Sequence, residues 1–400
     1  MSDVTTGPIV LLSTSDTDLL TAQASGANYR LANPARLLLS EDLPVLLDGA
    51  AVVVVRILGG RRAWEEGIEA VIAAGLPTVF LSGEQVPDPE LMSLSSVPGG
   101  IAAQAHNYLA QGGPENLKNL HAFLSDTVLL TGESFDEPTM TPQWGIADGL
   151  AAPIAADRPV IGVLFYRAQQ LAGNTDYVRA LCAAIESAGA SALPIFCASL
   201  RTAPDELLAT LATADALVVT VLAAGGTTPA TAGAGGDDGA WNVERLAALD
   251  IPILQGLCLT SSREQWDAND DGLSPLDVAT QVAVPEFDGR IITVPFSFKE
   301  IDADGLPRYV ADAERCARVA GIAVRHGRLR HLAPKDRRVA IMLSAYPTKH
   351  ARIGNAVGLD TPASLLRLLN ELQAAGYDLG STPIPGMAEN DSDALIHALI

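Results

Sequence analysis

The sequence predicts an α/β protein, built from tandem flavodoxin-like or Rossmann-like parallel-sheet domains flanked by helices. Three observations carry this reading. Short apolar runs rich in β-branched residues recur along the chain, each followed by polar residues and then by apolar residues at helical spacing. One stretch, residues 158–199, shows that plan in full: R-P-V-I-G-V-L-F-Y-R-A-Q-Q-L-A-G-N-T-D-Y-V-R-A-L-C-A-A-I-E-S-A-G-A-S-A-L-P-I-F-C-A-S. The residues are 48% apolar but only 5% aromatic, which suits helix-covered sheets with large aliphatic cores.

In that stretch residues 160–165 read as a buried strand. Tyr166, Arg167, Gln169, Gln170 and Asn174 then form a long polar loop. From Asp176 the period changes, and Val178, Leu181, Cys182, Ile185 and Ala188 share one helical face. Gly189 ends the helix, because a residue without Cβ turns left-handed at little cost. Residues 192–197 are the next buried strand. Units of this kind build parallel sheets. The connection exceeds the usual length of about two to six residues. Ligands of α/β proteins lie at the carboxyl ends of strands, so Arg167 and Asn174 mark a functional mouth.

Four hundred residues admit two or three domains. The expected division is 1–150, an α/β domain with helical cover; 151–335, a second α/β domain; and 336–400, a third cut short at Ile400. The tail D-S-D-A-L-I-H-A-L-I stops about two turns into an apolar helix, so a longer parent chain is expected. A net charge of −21 argues against nucleic-acid binding, which needs a basic face. The start M-S-D-V-T-T-G-P lacks a signal-peptide pattern, and the apolar runs 52–55 and 216–224 are too short to span a bilayer. A soluble cytoplasmic protein is expected, with no membrane partner. Cys182, Cys197, Cys258 and Cys316 form no CxxC pair and read as small buried hydrophobes.

In the first domain, residues 9–12 are a strand. The loop S-T-S-D-T-D supplies caps for a helix from Leu19. Residues 52–57 are the second strand and end in R-I-L-G-G-R-R, where Arg56, Arg61 and Arg62 could meet an anion. Residues 77–81 are a third strand, and 97–130 read as helical. Pro138, Pro142 and Pro153 then break the chain. The second domain adds strands at 216–221, 252–255 and 291–298, with a helix from Trp241. Residues 223–240, rich in Gly, Ala and Thr, read as a mobile loop. D-A-N-D-D-G, 267–272, imitates half a calcium loop but puts Val278 where a Glu is needed, so it reads as an Asp-Gly turn.

Residues 309–326 read as a long helix that runs into R-H-G-R-L-R-H-L-A-P-K-D-R-R. This cluster is either a helix end favoured by its dipole or an attractive rim for an acidic ligand. Residues 339–343 repeat the strand-loop-helix plan. Their loop, 344–360, holds Tyr346, Lys349, His350, Arg352, Asn355 and Asp360, and Thr361 and Pro362 cap and start the next helix. So many distinct donors and acceptors on one βα loop make it the strongest site signal in the chain. No second His or carboxylate stands at ligand spacing from His350, so no metal site is assigned.

At these residues the sequence resembles a known family. Y-P-T-K-H-A-R-I-G-N-A-V-G-L-D-T-P, G-V-L-F-Y-R-A-Q-Q-L-A-G-N-T and F-L-S-D-T-V-L-L-T-G are similar to the large cobaltochelatase subunit CobN, related to the magnesium chelatase H subunit. The resemblance runs over essentially the whole chain. It implies a ligase forming nitrogen–metal bonds. Such a subunit inserts Co2+, a substrate, into the corrin hydrogenobyrinic acid a,c-diamide during aerobic cobalamin biosynthesis. It further implies that ATP and Mg2+ are used by the AAA+ type partner subunits CobS and CobT of an ATP-dependent complex, not by this chain. The absence of any Gly-Lys dipeptide, and so of a Walker A motif, agrees with that division.

Metal insertion into such a tetrapyrrole needs a base for the ring N–H protons and cations for its carboxylates. On this reading His350 carries the metal or a proton, and with Lys349 forms the catalytic pair. Lys349 and Arg352 anchor carboxylates and Tyr346 contacts the ring. Asn355 and Asp360 join them in binding substrate, with Arg167 and Asn174 serving from the second domain. Each side chain could instead tie down its loop. Two alternatives stand beside this one: a non-catalytic head module that binds substrate or partners, and a magnesium chelatase H subunit acting on protoporphyrin IX. The fragment alone is expected to be inactive, with much of the ring site beyond residue 400.

Overall fold

The computed structural model describes residues 7–84, 86–201, 203–221, 243–343, 354 and 357–399. The chain divides into two compact units, Met1–Val324 and Arg325–Ile400.

The first unit contains two sheets. Strands β1 (Ile9–Ser13), β2 (Tyr29–Ala32), β3 (Val52–Ile57) and β4 (Thr78–Ser82) form an all-parallel sheet in the order β2-β1-β3-β4. Because side chains alternate along a strand, an apolar run covered on both faces feeds two cores. Leu11, Val54 and Leu81 pack against Ala105, Tyr108 and Leu120 on one side. Leu12, Val55 and Phe80 meet Leu43, Ile68 and Val71 on the other. The helix after β1 begins at Asp16, one turn before the expected start. The expected helical segment 97–130 is two helices, Gly99–Gln111 and Pro114–Leu129. Gly112 and Gly113 break it with φ of 66° and 92°, which glycine adopts without a Cβ clash.

The second sheet contains β5 (Trp144–Ile146), β6 (Val160–Tyr166), β7 (Ser191–Cys197), β8 (Ala216–Val219), β9 (Ile253–Cys258), β10 (Ile291–Ile301) and β11 (Pro307–Ala311). Its order is β11-β10-β9-β8-β6-β7-β5, parallel within and antiparallel at both edges. Ile161, Val163 and Phe165 pack on Tyr177, Leu181 and Val319, while Leu164, Leu217 and Val219 pack on Leu207, Leu211 and Leu246. The loop expected after β6 is partly a short helix, Arg167–Leu171.

The helix expected over 309–326 runs from Ala313 to Leu329. Residues 307–311 are instead β11, which turns back at Gly305 (φ 76°) and pairs antiparallel with β10. A free strand edge supplied hydrogen bonds that the local apolar spacing does not reveal.

In the second unit, helices Thr361–Ala374 and Ser392–Leu399 meet through Leu365, Leu366 and Leu395. The strand expected at 339–343 does not form, and Val339 and Met342 are exposed. An apolar run becomes a strand only beside another strand, and this unit contains none among its described residues. The cap of the first helix is Asp360 rather than Thr361: its carboxylate accepts from Ala363 N at 3.1 Å. The glycine-rich stretch and Trp241 lie outside the described residues.

Candidate functional site

Each sheet of the first unit reverses its winding once. In the first sheet the chain leaves β1 for β2 on one side and β3 on the other; in the second it leaves β6 for β7 and then β8. The carboxyl ends of strands at such a reversal diverge and leave a crevice, the usual ligand position in doubly wound sheets. Both crevices are present.

The first, about 180 Å³, is lined by Ser15, Thr17, Asp18, Arg56, Gly83 and Arg167 among others. Arg56 leaves the end of β3 and is only 5% exposed. Its Nη1 donates to Asp18 Oδ1 at 2.7 Å, while Nε and Nη2 donate to the carbonyls of Ser82 and Gly83, both at 3.1 Å. Ser13 Oγ donates to the other Asp18 oxygen at 2.6 Å. The sequence groups Arg56 with Arg61 and Arg62 and does not reveal this buried pair. Arg61 instead pairs with Glu65 at 3.4 Å on the surface.

Arg167 is brought to the same crevice and is 8% exposed. Its Nε donates to Pro142 O at 2.7 Å and its Nη2 to Gln111 O at 2.9 Å, with Thr141 as a further partner. Burial pulls the guanidinium below its ordinary pKa. Asn174 is equally buried, and its Oδ1 accepts from Tyr309 N at 3.1 Å, tying the segment after β6 to β11. Both predicted mouth residues therefore hold backbone of neighbouring segments. Asp360 lies in the other unit as a helix cap. Tyr346, Lys349, His350, Arg352 and Asn355 lie outside the described residues.

The second crevice, about 380 Å³, is lined by Tyr166, Ser199, Arg201, Val221, Thr280 and Val284 among others. Thr280 belongs to a π-helical turn, Val278–Ala283, a geometry often found at functional sites. Beneath it Arg290 Nη2 donates to Asp288 Oδ2 at 2.7 Å, with both side chains fully buried. Arg290 Nη1 donates to Gln255 Oε1 and to the Val221 carbonyl, each at 2.7 Å. Burial lowers the Arg290 pKa and the Asp288 charge opposes that. The only sequence signal was a D-G-R tripeptide before an apolar strand. Among the described residues no cluster of His, Cys, Asp or Glu could hold a metal, and no helix is long and apolar enough to cross a membrane.

Two doubly wound, mostly parallel sheets with polar crevices at their strand carboxyl ends define an α/β protein of the kind that can take ligands there. A family model described as CobN/Magnesium Chelatase matches residues 106–400, and the chain belongs to that family. It is 34% identical over 413 aligned positions to the aerobic cobaltochelatase subunit CobN of Pseudomonas aeruginosa, covering 96% of this chain and 32% of that protein. The subunit of the same name from a Sinorhizobium species is 31% identical, with 99% and 33% covered. A solved structure, the catalytic subunit of cobaltochelatase from Mycobacterium tuberculosis, superposes with a TM-score of 0.81 at 64% identity, covering 98% of this chain and 33% of that one. The chain thus spans about a third of the length of these relatives.

Proposed function

We propose that this chain is part of a cobaltochelatase subunit that inserts Co2+ into hydrogenobyrinic acid a,c-diamide in cobalamin biosynthesis. The observation that carries the proposal is 64% identity, across nearly the whole chain, to a cobaltochelatase catalytic subunit. In this reading CobS and CobT hydrolyse ATP with Mg2+ and drive the insertion, and the assembly works in the cytoplasm.

The reaction removes two kinds of bound partner: water from Co2+ and protons from the ring nitrogens. His350 is proposed to accept a proton or pass the metal. Lys349 and Arg352 neutralise peripheral carboxylates through charge-assisted hydrogen bonds, and Tyr346 lies against the ring. Asn355 and Asp360 complete the same loop. Arg167 and Asn174 serve substrate binding from the second sheet. Their present hydrogen bonds hold backbone through Arg167 Nε and Nη2 and Asn174 Oδ1, so in this reading Arg167 meets the substrate through Nη1.

In the full-length subunit with its partners, His350→Ala and Lys349→Ala are expected to lower cobalt insertion at least about tenfold while leaving the circular dichroism unchanged. Wild-type turnover in both variants would remove those roles.

The second reading, a head module that binds substrate or partners without chemistry of its own, is supported by Arg167 and Asn174, which hold backbone of neighbouring segments. Corrin absorbance titrated with this chain and with the full subunit separates the two. Binding by the full subunit alone favours a module that docks partners.

A further inference from the structure

Arg167 presents a charge problem. The residue is more than nine-tenths buried, yet every hydrogen-bond partner described for its guanidinium is a neutral oxygen of Pro142, Gln111 or Thr141. No carboxylate lies within ion-pair distance of it among the described residues. Its Nη1 makes none of these bonds, and the side chain lines the first crevice. Burying a cation without a counter-charge is costly, and an anion bound beside it offsets that cost.

The rest of the lining agrees in sign. Asp18 is the only carboxylate of the lining, and Arg56 neutralises it at 2.7 Å. Two guanidiniums therefore face one carboxylate, leaving one positive charge. Ser15 and Thr17, both hydroxyl-bearing, also line it. A volume of about 180 Å³ falls below the range of roughly 300–1,000 Å³ typical of larger ligands. The space suits a group of a few heavy atoms.

We propose that the crevice between the ends of β1 and β3 and the start of the Arg167–Leu171 helix binds a small carboxylate, with Arg167 Nη1 as its cationic anchor. The carboxylate is either a free small acid or the side arm of a larger acidic molecule. The site rests on this chain's own charge balance and stands whether or not the chelatase reading does.

The test is equilibrium dialysis of the full chain against radiolabelled acetate at fixed ionic strength, with inorganic phosphate as a second probe. Saturable binding of one equivalent of acetate is expected, weakened at least about tenfold by Arg167→Gln and partly restored by Arg167→Lys. Should Arg167→Gln fail to fold, the Ser15→Ala/Thr17→Val pair carries the test with a smaller loss. A difference map of acetate-soaked crystals is expected to show density beside Nη1. Competition by the corrin assigns the carboxylate to a side arm, whereas none assigns it to a free acid. Absence of saturable acetate binding, or binding indifferent to both sets of variants, overturns the proposal, as does phosphate binding in place of acetate.

Discussion

Replacing Asp288 by alanine tests the buried charge pair beneath the second crevice. Asp288 and Arg290 contact at 2.7 Å with fully buried side chains, so solvent screens the pair little. Removing the carboxylate takes away the counter-charge that Arg290 meets at 2.7 Å, and breaking such a buried pair costs about 3–5 kcal/mol. Arg290→Met removes the other charge and also takes donors from Gln255 and the Val221 carbonyl, each loss adding about 1–3 kcal/mol. The double variant removes both charges of the pair. Its loss should fall short of the sum of the single losses by about 1–3 kcal/mol, the coupling expected of residues in contact. Urea denaturation, followed by both far-ultraviolet circular dichroism and tryptophan fluorescence, reads the midpoint and slope for all four proteins. A loss under about 1 kcal/mol for Asp288→Ala, or strict additivity in the double variant, refutes the reasoning.

Asp16 gives a pH dependence. Burial acts to raise its pKa, but hydrogen bonds from Asn33 and Arg36 and the charges of Arg36 and Lys299 outweigh it and hold the carboxyl below its ordinary value. A lowered folded pKa contributes stability above the unfolded value, about 3.9, and that contribution is lost as pH falls through the folded value. Asp16→Asn should therefore lower the melting temperature at pH 6 and do so less at pH 3; an equal drop at both counts against the argument. Gly83→Ala places a Cβ 2.7 Å from the Leu58 backbone nitrogen beside the first crevice, so a loss of about 1–3 kcal/mol is expected in the same denaturation assay. All four cysteines are buried, and burial pushes the thiols of Cys182, Cys197 and Cys316 up to about 12 and raises Cys258 as well. Since the thiolate is the reactive form, a disulfide reagent at pH 7.5 should label none of them in the native chain and all of them after denaturation.

The amino-acid order by itself determined the α/β class and most parallel strands. In 52–57 and 160–165 β-branched residues bounded by turn residues leave few other solutions, and both are buried strands in the structure. It also marked Arg167 and Asn174, because polar residues directly after a buried strand occupy its carboxyl end. What those side chains touch was not legible. Gln111 and Pro142 meet Arg167, and Tyr309 meets Asn174, only after distant segments pack together.

Tertiary structure alone decided three further points. Residues 307–311 became an edge strand, 339–343 did not become a strand, and Arg56 and Arg290 found carboxylates inside the protein. The physical reason is common to all three. Helical and apolar periods are local properties of the chain, whereas a strand partner and a counter-charge are supplied by residues that only folding brings near.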